Sequence, residues 1–134
     1  MAKFLSDKWL KECVKTLRDS EDFKNDAGTF KGDFVFIFEA DDGLDVTKRL
    51  YLSINRGDCR EAFFLNGGPA PDADYRISAP YSLWTKIITG EQDPLNALRS
   101  RHVKVKGNML RIMMNLGAAT ALVRTLSAVP IEFN

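Results

Sequence analysis

His102 is the only histidine in the chain, and proton-transfer chemistry near neutral pH would have to start from it. A serine–histidine–carboxylate triad, a multi-histidine metal site or a His/Asp relay would each need it with suitable partners. Its polar neighbours in sequence are Ser100, Arg101 and Lys104, none of them a carboxylate. A surface histidine at the entrance of a strand is the simpler reading. The densest acidic group is Glu39, Asp41, Asp42 and Asp45. A calcium loop has the form Asp-x-[Asp/Asn]-x-[Asp/Asn]-Gly, with a glutamate six residues after the glycine. Here Gly43 comes too early and the glutamate position holds Arg49. The segment reads as a solvated hairpin turn, and no second feature favours a carboxylate pair for acid–base work.

The remaining motifs are as bare. Cys13 and Cys59 lie far apart in sequence and match no metal or redox spacing. Cys13 falls on the apolar face of a helix and reads as a reduced core thiol. Arg56-Gly57-Asp58 spells an adhesion tripeptide but reads as a tight turn. Asn66-Gly67-Gly68 lacks the lysine and spacing of a phosphate loop and opens no helix. There is no nucleophile elbow, Cys-x-x-Cys pair or dinucleotide fingerprint. No catalytic residue, metal ligand or cofactor site emerges, which moves the weight from enzyme to binder.

What the chain offers a binder is apolar surface. Asn108 to Val129 reads as one long helix whose only charges are Arg111 and Arg124. Met109, Ile112, Met113, Leu116 and Val123 form one stripe, with Leu110, Met114, Gly117 and Ala121 beside it. The two span roughly 200°, where about 100° seats a helix on a core. More protein, a partner or an apolar ligand must cover the surplus. In Phe34-Val35-Phe36-Ile37-Phe38 every position is apolar, which suits a strand covered on both faces.

The rest of the chain supplies the frame. With 134 residues, 45% hydrophobic and 28% charged, it fits one soluble globular domain spanning 1–134. A net charge of +1 gives no electrostatic reason to expect nucleic acid. Met1 to Ser6 shows no export signal, and no run reaches the ~18 apolar residues of a membrane span, so a cytoplasmic protein is expected. Ser6 caps a helix with Trp9, Leu10, Cys13, Val14 and Leu17 inward, which should fade at Asp19 to Asp26. Leu50, Leu52 and Ile54 alternate with Tyr51, Ser53 and Asn55, Gly57-Asp58 signals a hairpin, and Cys59 to Leu65 returns. Asn66 to Asp74 is loop, and Tyr75 and Ile77 face opposite Arg76 and Ser78. Pro80 opens a helix with Leu83, Trp84, Ile87 and Ile88 inward, and Gly90 stops it. Asp93-Pro94 restarts a helix with Leu95 and Leu98 inward. Val103 and Val105 alternate with lysines, Gly107 turns the chain and Asn108 caps the last helix. The order α-β-β-β-β-α-α-β-α predicts an α+β fold, with helices gathered on one side of a largely antiparallel sheet.

Tyr75 to Leu116 carries a recognisable succession. A short strand leads to Ser78-Ala79-Pro80 opening an apolar helix, then Gly90-Glu91-Gln92-Asp93-Pro94, then Val103-Lys104-Val105-Lys106-Gly107-Asn108. This resembles the sterol carrier protein (sterol-transfer domain) family, which usually carries Gly-x-x-Asp-Pro and Leu-Lys-Ile-Lys-Gly-Asp at these places. The match is good at Gly90, Asp93, Pro94, Lys104, Lys106 and Gly107. It departs at Ser100-Arg101-His102, where a glycine is common, and at Asn108, which replaces a capping aspartate. Residue-level similarity is confined to about 74–116, although the order of elements fits throughout.

The resemblance implies a five-stranded, mostly antiparallel sheet with helices on one face and an apolar cavity between them. It implies a ligand such as a fatty acid, fatty acyl-CoA, sterol or isoprenoid-like lipid, bound and transferred without chemistry. The expected lining is Phe34, Phe36 and Phe38 from the sheet, facing Leu83, Trp84, Ile87 and Ile88. Met109, Ile112, Met113 and Leu116 complete it from the last helix. Arg99, Arg101 or Lys104 would meet an acidic headgroup. Transient contact with a membrane or an enzyme, and a monomer or homodimer, fit this reading. The alternative is an accessory or oligomerisation module that docks on a lipid-processing enzyme through its apolar C-terminal helix. An enzyme acting on the bound lipid would have only Asp41, Asp45, Tyr81 and His102 to work with.

Overall fold

The computed structural model describes residues 2–132; Met1, Phe133 and Asn134, the ends of the expected 1–134 unit, lie outside the described residues. The chain opens with β1 (Ala2–Lys3) and then α1 (Asp7–Asp19). Ser6 starts α1 as its sequence position requires, its Oγ accepting from the Trp9 N–H at 3.1 Å and donating to the Lys3 carbonyl at 2.6 Å. Trp9, Leu10, Cys13 and Leu17 are buried and Val14 is half-buried. The stretch expected to fade is instead a second helix, α2 (Glu21–Asp26). Ser20 caps it by accepting from the Phe23 N–H at 3.1 Å, and Phe23 is fully buried. A single aromatic anchor behind a serine cap and two acids is enough to hold this short helix, and the surrounding polar residues hide it from a periodicity search.

Five strands form the main sheet: β2 (Lys31–Glu39), β3 (Lys48–Asn55), β4 (Asp58–Phe64), β5 (Tyr75–Pro80) and β6 (Lys104–Gly107). Their spatial order is β4-β3-β2-β5-β6, with β2 and β5 parallel and every other pair antiparallel. Pairing of Phe34 with Leu52 and Tyr75, and of Phe36 with Leu50 and Ile77, puts these apolar side chains on one face. The other face carries Asp33–Ser53, Val35–Tyr51 and Ile37–Arg49, with Arg76 and Lys106 paired further along. Val35 is buried there beneath its neighbours, Tyr51 and Arg76 being its register partners, so β2 is covered on both sides without helices on both sides. The β3–β4 hairpin turns at Arg56-Gly57, both with positive φ, 51° and 78°. That is the turn whose twist matches paired strands, and it disposes of the adhesion-like tripeptide.

On the apolar face lie α3 (Tyr81–Ile88), α4 (Pro94–Arg99), α5 (Met109–Met114) and α6 (Leu116–Ser127), before β7 (Ile131–Glu132) pairs in parallel with β1. The expected single helix over Asn108 to Val129 is therefore two. Asn115 separates them at φ −120°, ψ 32°. Its side-chain amide donates to the Arg111 carbonyl at 2.7 Å, taking the acceptor the next helical N–H would use. Gly107, ahead of α5, adopts φ 136° and approaches the Asp74 backbone so closely that a Cβ would meet that carbonyl and the Tyr75 ring. Cys13 and Cys59 are both buried and free. Burial first, then the charge of Glu12 and the nearby Cys59, pushes the Cys13 thiol up to about 12, and burial raises Cys59 as well.

These thiols should be inert to a thiol reagent at about pH 8 in the native protein and react fully once it is unfolded. Because their native values lie above the unfolded value of about 8.5, the neutral thiols support the fold fully below that pH. Native stability should decline as pH rises from about 9 toward 12, and a Cys13→Ala variant should decline less steeply. Denaturant titrations across that range measure it.

Candidate functional site

A cavity of about 100 Å³ lies between the sheet and helices α3 to α6. Phe36, Ile77 and Val105 form its floor from three adjacent strands, because alternation brings every second residue to the same face. Trp84 and Ile87 from α3, with Pro94, Leu95 and Leu98 from α4, make one wall. Ile112, Leu116, Ala119, Thr120 and Val123 from α5 and α6 close it. A second void of about 40 Å³ lies deeper and shares Phe36, Trp84, Ile87 and Val123 with the first. Its further lining includes Phe38, Ile88, Phe4, Trp9 and Leu122.

Trp84 stands where the voids meet. Its ring lies 4.8 Å from that of Phe38 and edge-on, 5.9 Å, to that of Phe36. Its indole N–H donates to the Ile37 carbonyl at 3.0 Å, so the one polar atom of this side chain is satisfied by the sheet. The outlying Phe34 stacks on Phe36 at 5.5 Å and on Phe30 at 5.8 Å.

Of the residues expected to line a site, the structure gathers Phe36, Phe38, Trp84, Ile87, Ile88, Ile112 and Leu116 around these voids. Phe34 is buried and Leu83 half-buried, both packed in the core beside the voids. Met109 and Met113 point outward, 39% and 48% exposed. Arg99, Arg101 and Lys104 are exposed, with Lys104 on the sheet face away from the cavity, paired with Ser78. Ala119, Thr120 and Phe4 escape a reading of the sequence, being too small, too polar or too early in the chain for a helical stripe to include them.

Of the chemistry-bearing side chains, Asp41 and Tyr81 come together, burial first and then the Asp41 charge raising the Tyr81 hydroxyl. The Nδ1 of His102 lies 2.9 Å from Ser100 Oγ, yet that hydroxyl already donates to the Asn96 carbonyl at 2.8 Å. That hydroxyl also lies 3.2 Å from the Ala97 carbonyl, so the end of α4 engages the serine beside the histidine. Asp41 is not merely a solvated turn residue. Its carboxylate accepts from the Ser82 N–H at 2.8 Å and the Gly43 N–H at 2.9 Å, and so holds the start of α3 from a distant loop. These backbone donors, Ser82 before Gly43, hold its carboxyl below the usual carboxylate range. Among the described residues no cluster of three or more His, Cys, Asp or Glu side chains has the arrangement of a metal site. A wider groove of about 940 Å³ between α1 and β4 is open to solvent and lined both by Leu10, Val14, Phe63 and Phe64 and by charged side chains of both signs, among them Asp7, Lys11, Arg18, Arg60 and Glu61.

Residues 10–119 match the SCP-2 sterol transfer family. The chain belongs to that family. A search of curated proteins gave no match. Among solved structures, a crystal structure of sterol carrier protein 2 superposes with a TM-score of 0.86 at 24% identity, covering 96% of this chain and 100% of that one. A conserved hypothetical protein of Thermus thermophilus, described as possibly a sterol carrier protein, gives 0.84 at 24% identity over 98% and 93% of the two chains. The apo form of sterol carrier protein 2 from Yarrowia lipolytica gives 0.61 at 19% identity, covering 96% of each chain. At these identities the superpositions establish the fold, a five-stranded mixed sheet flanked by helices. In this SCP-2 member the helical layer leaves its voids where the sheet is lined by aromatic rings.

The hydrogen bond that Asp41 accepts from Ser82 of α3 gives a pH prediction. A carboxyl held below its unfolded value of about 3.9 supports the fold above that pH and loses the contribution as pH falls through the native value. Asp41→Asn should lower the thermal midpoint at neutral pH and shrink its dependence on pH in the acid range. Thermal melts of both proteins from about pH 2 to pH 7 provide the comparison.

Proposed function

We propose that this protein binds a lipid with a long apolar chain between its sheet and helices α3 to α6, and carries it without altering it. The observation that supports this most is the near-complete absence of polar lining in a cavity to which three strands and four helices all contribute side chains. Each buried CH₂ of a ligand contributes about 0.8 kcal/mol there without any specific polar contact. The proposed contacts are Phe36, Phe38, Trp84, Ile87, Ile88, Ile112 and Leu116. Arg99 and Arg101, at and just after the end of α4, are proposed to meet an acidic headgroup. Fatty acids, their CoA esters, sterols and isoprenoid-like lipids all satisfy this chemistry, since an apolar cavity selects weakly between shapes.

The voids of about 100 and 40 Å³ are small beside the roughly 300–1,000 Å³ of a small-molecule site. Uptake therefore requires a wall to move. A lightly attached wall is α5, where Ile112 is the only buried side chain. Swinging it outward about Asn115 would widen the cavity on one side.

Native mass spectrometry followed by organic extraction should find co-purified lipid. Ala119→Phe, which places a ring in the larger void, should weaken binding of a fluorescent fatty acid about tenfold or more, equivalent to about 1.4 kcal/mol. Unchanged binding by a folded Ala119→Phe protein would sink the proposed site.

A further inference from the structure

Two buried side-chain polar groups among the described residues have no hydrogen-bond partner, the Trp9 indole N–H and the Tyr75 hydroxyl. Buried polar groups are nearly always paired, and an indole N–H can only donate, so Trp9 carries an unsatisfied donor at a cost to the fold. The two orphans differ in their surroundings. Tyr75 borders neither void, whereas Trp9 is part of the lining of the deeper one, about 40 Å³. Trp9 is 1% exposed and shut off from solvent. It is also fixed in place. Its backbone N–H donates to Ser6 Oγ at 3.1 Å, and the Phe4 ring stands edge-on to the indole with centroids 5.1 Å apart. A ring contact offers an N–H only weak compensation.

The rest of the lining offers this donor nothing. Among the described residues the only other polar side-chain atom around the deeper void is the Trp84 indole N–H, itself a donor and already committed to the Ile37 carbonyl at 3.0 Å. The void has room for one water, but a buried water needs about two to four polar partners and would find one. A group that suits the place must bring an acceptor, no donor of its own and no charge. A hydroxyl would satisfy Trp9 and leave its own O–H unpaired. A carboxylate would bury a charge against one hydrogen bond, with no cation in the lining. The carbonyl of a ketone or an ester meets all three conditions.

We propose that the Trp9 indole N–H anchors the carbonyl oxygen of an uncharged ketone or ester lipid, which enters the cavity oxygen-first and places that end in the deeper void. The proposal rests on the lipid-carrier reading and adds to it the class of cargo and its orientation. The apolar remainder of the ligand lies in the larger void once α5 has moved, since the two voids are joined along Phe36, Trp84, Ile87 and Val123. A fatty acid takes the opposite direction. Its chain points inward, its carboxylate stays near Arg99 and Arg101 at the end of α4, and Trp9 stays unpaired. The cavity thus ranks ligands by the group at their buried end, a discrimination that apolar contact alone does not supply. Trp9 is the residue that determines it.

Displacement of a bound fluorescent fatty acid tests this with three ligands of equal chain length, a methyl ketone, a primary alcohol and an alkane. The ketone should bind the native protein about fivefold or more tighter than the alkane, as one hydrogen bond to a previously unpaired donor allows, with the alcohol between them. In Trp9→Phe, which keeps an aromatic ring and removes the donor, the ratio of ketone to alkane affinity should fall to about one. A measurement on the native protein stands apart from the folding of that variant. The chain has two tryptophans and so two indole N–H signals in a nitrogen–proton correlation spectrum, the Trp9 signal being assigned by its proximity to the Phe4 ring. That signal should move further downfield with the ketone than with the alkane. Equal affinity for ketone and alkane, a ratio that survives in folded Trp9→Phe, or a Trp9 signal that answers alike to both overturns the proposal even if the fatty acid binds normally. An alcohol that binds as tightly as the ketone overturns the assignment of a carbonyl. Failure of the native protein to bind the fluorescent fatty acid and all three ligands overturns the lipid-carrier reading itself, and the anchor with it.

Discussion

Trp84 is held at two points. Its ring rests on Phe36 and Phe38, and its indole N–H donates to the Ile37 carbonyl of the strand between them. An indole anchored this way occupies the space between α3 and the aromatic floor. The gap on either side of that ring is what the remaining helices must fill. They fill it incompletely, with Ala119, Thr120 and Val123 on α6 and a few side chains from α4 and α5. Apolar voids are the result of small residues facing a large one across a layer that cannot collapse further.

The helical layer is fastened unequally. Asp41 holds the start of α3 through its hydrogen bond from Ser82, and α6 buries Ala118, Ala121, Leu122 and Thr125. By contrast α5 depends on Ile112, the Asn108 cap and the Arg111–Lys31 hydrogen bond. Few buried contacts and a break at Asn115 make it the segment whose opening costs least. The same looseness leaves its methionines facing outward, where flexible thioethers adapt to irregular apolar surroundings. The cavity wall and the exposed apolar arc are thus two sides of one weakly fastened element.

Much of the frame was legible because it follows from local rules. Ser6, Pro94 and Asn108 mark helix starts, and the alternation in Leu50 to Ile54 and in Tyr75 to Ser78 assigns sheet faces correctly. Gly90 follows the end of α3 with φ 85°. What misled was length and averaging. The polar run after Asp19 conceals α2, whose one buried side chain is Phe23. The apolar run after Asn108 conceals the break, because Asn115 is compatible with a helix until its amide finds the Arg111 carbonyl. Two stripes drawn on an unbroken helix could not separate Ile112, which turns in, from Met109 and Met113, which turn out.

The sequence by itself determined the α+β class, the strand faces and the family resemblance at Tyr75 to Leu116. These depend on residue types and short spacings, which the chain expresses before it folds. Only the tertiary structure decided where empty space remains. That depends on differences between large and small side chains contributed by distant elements, Trp84 against Ala119 and Phe36 against Val123. It also decided which apolar residues stay uncovered, because exposure is a property of neighbours and not of the residue. Leu110 and Leu122 read alike in the sequence, yet one is 70% exposed and the other 5%.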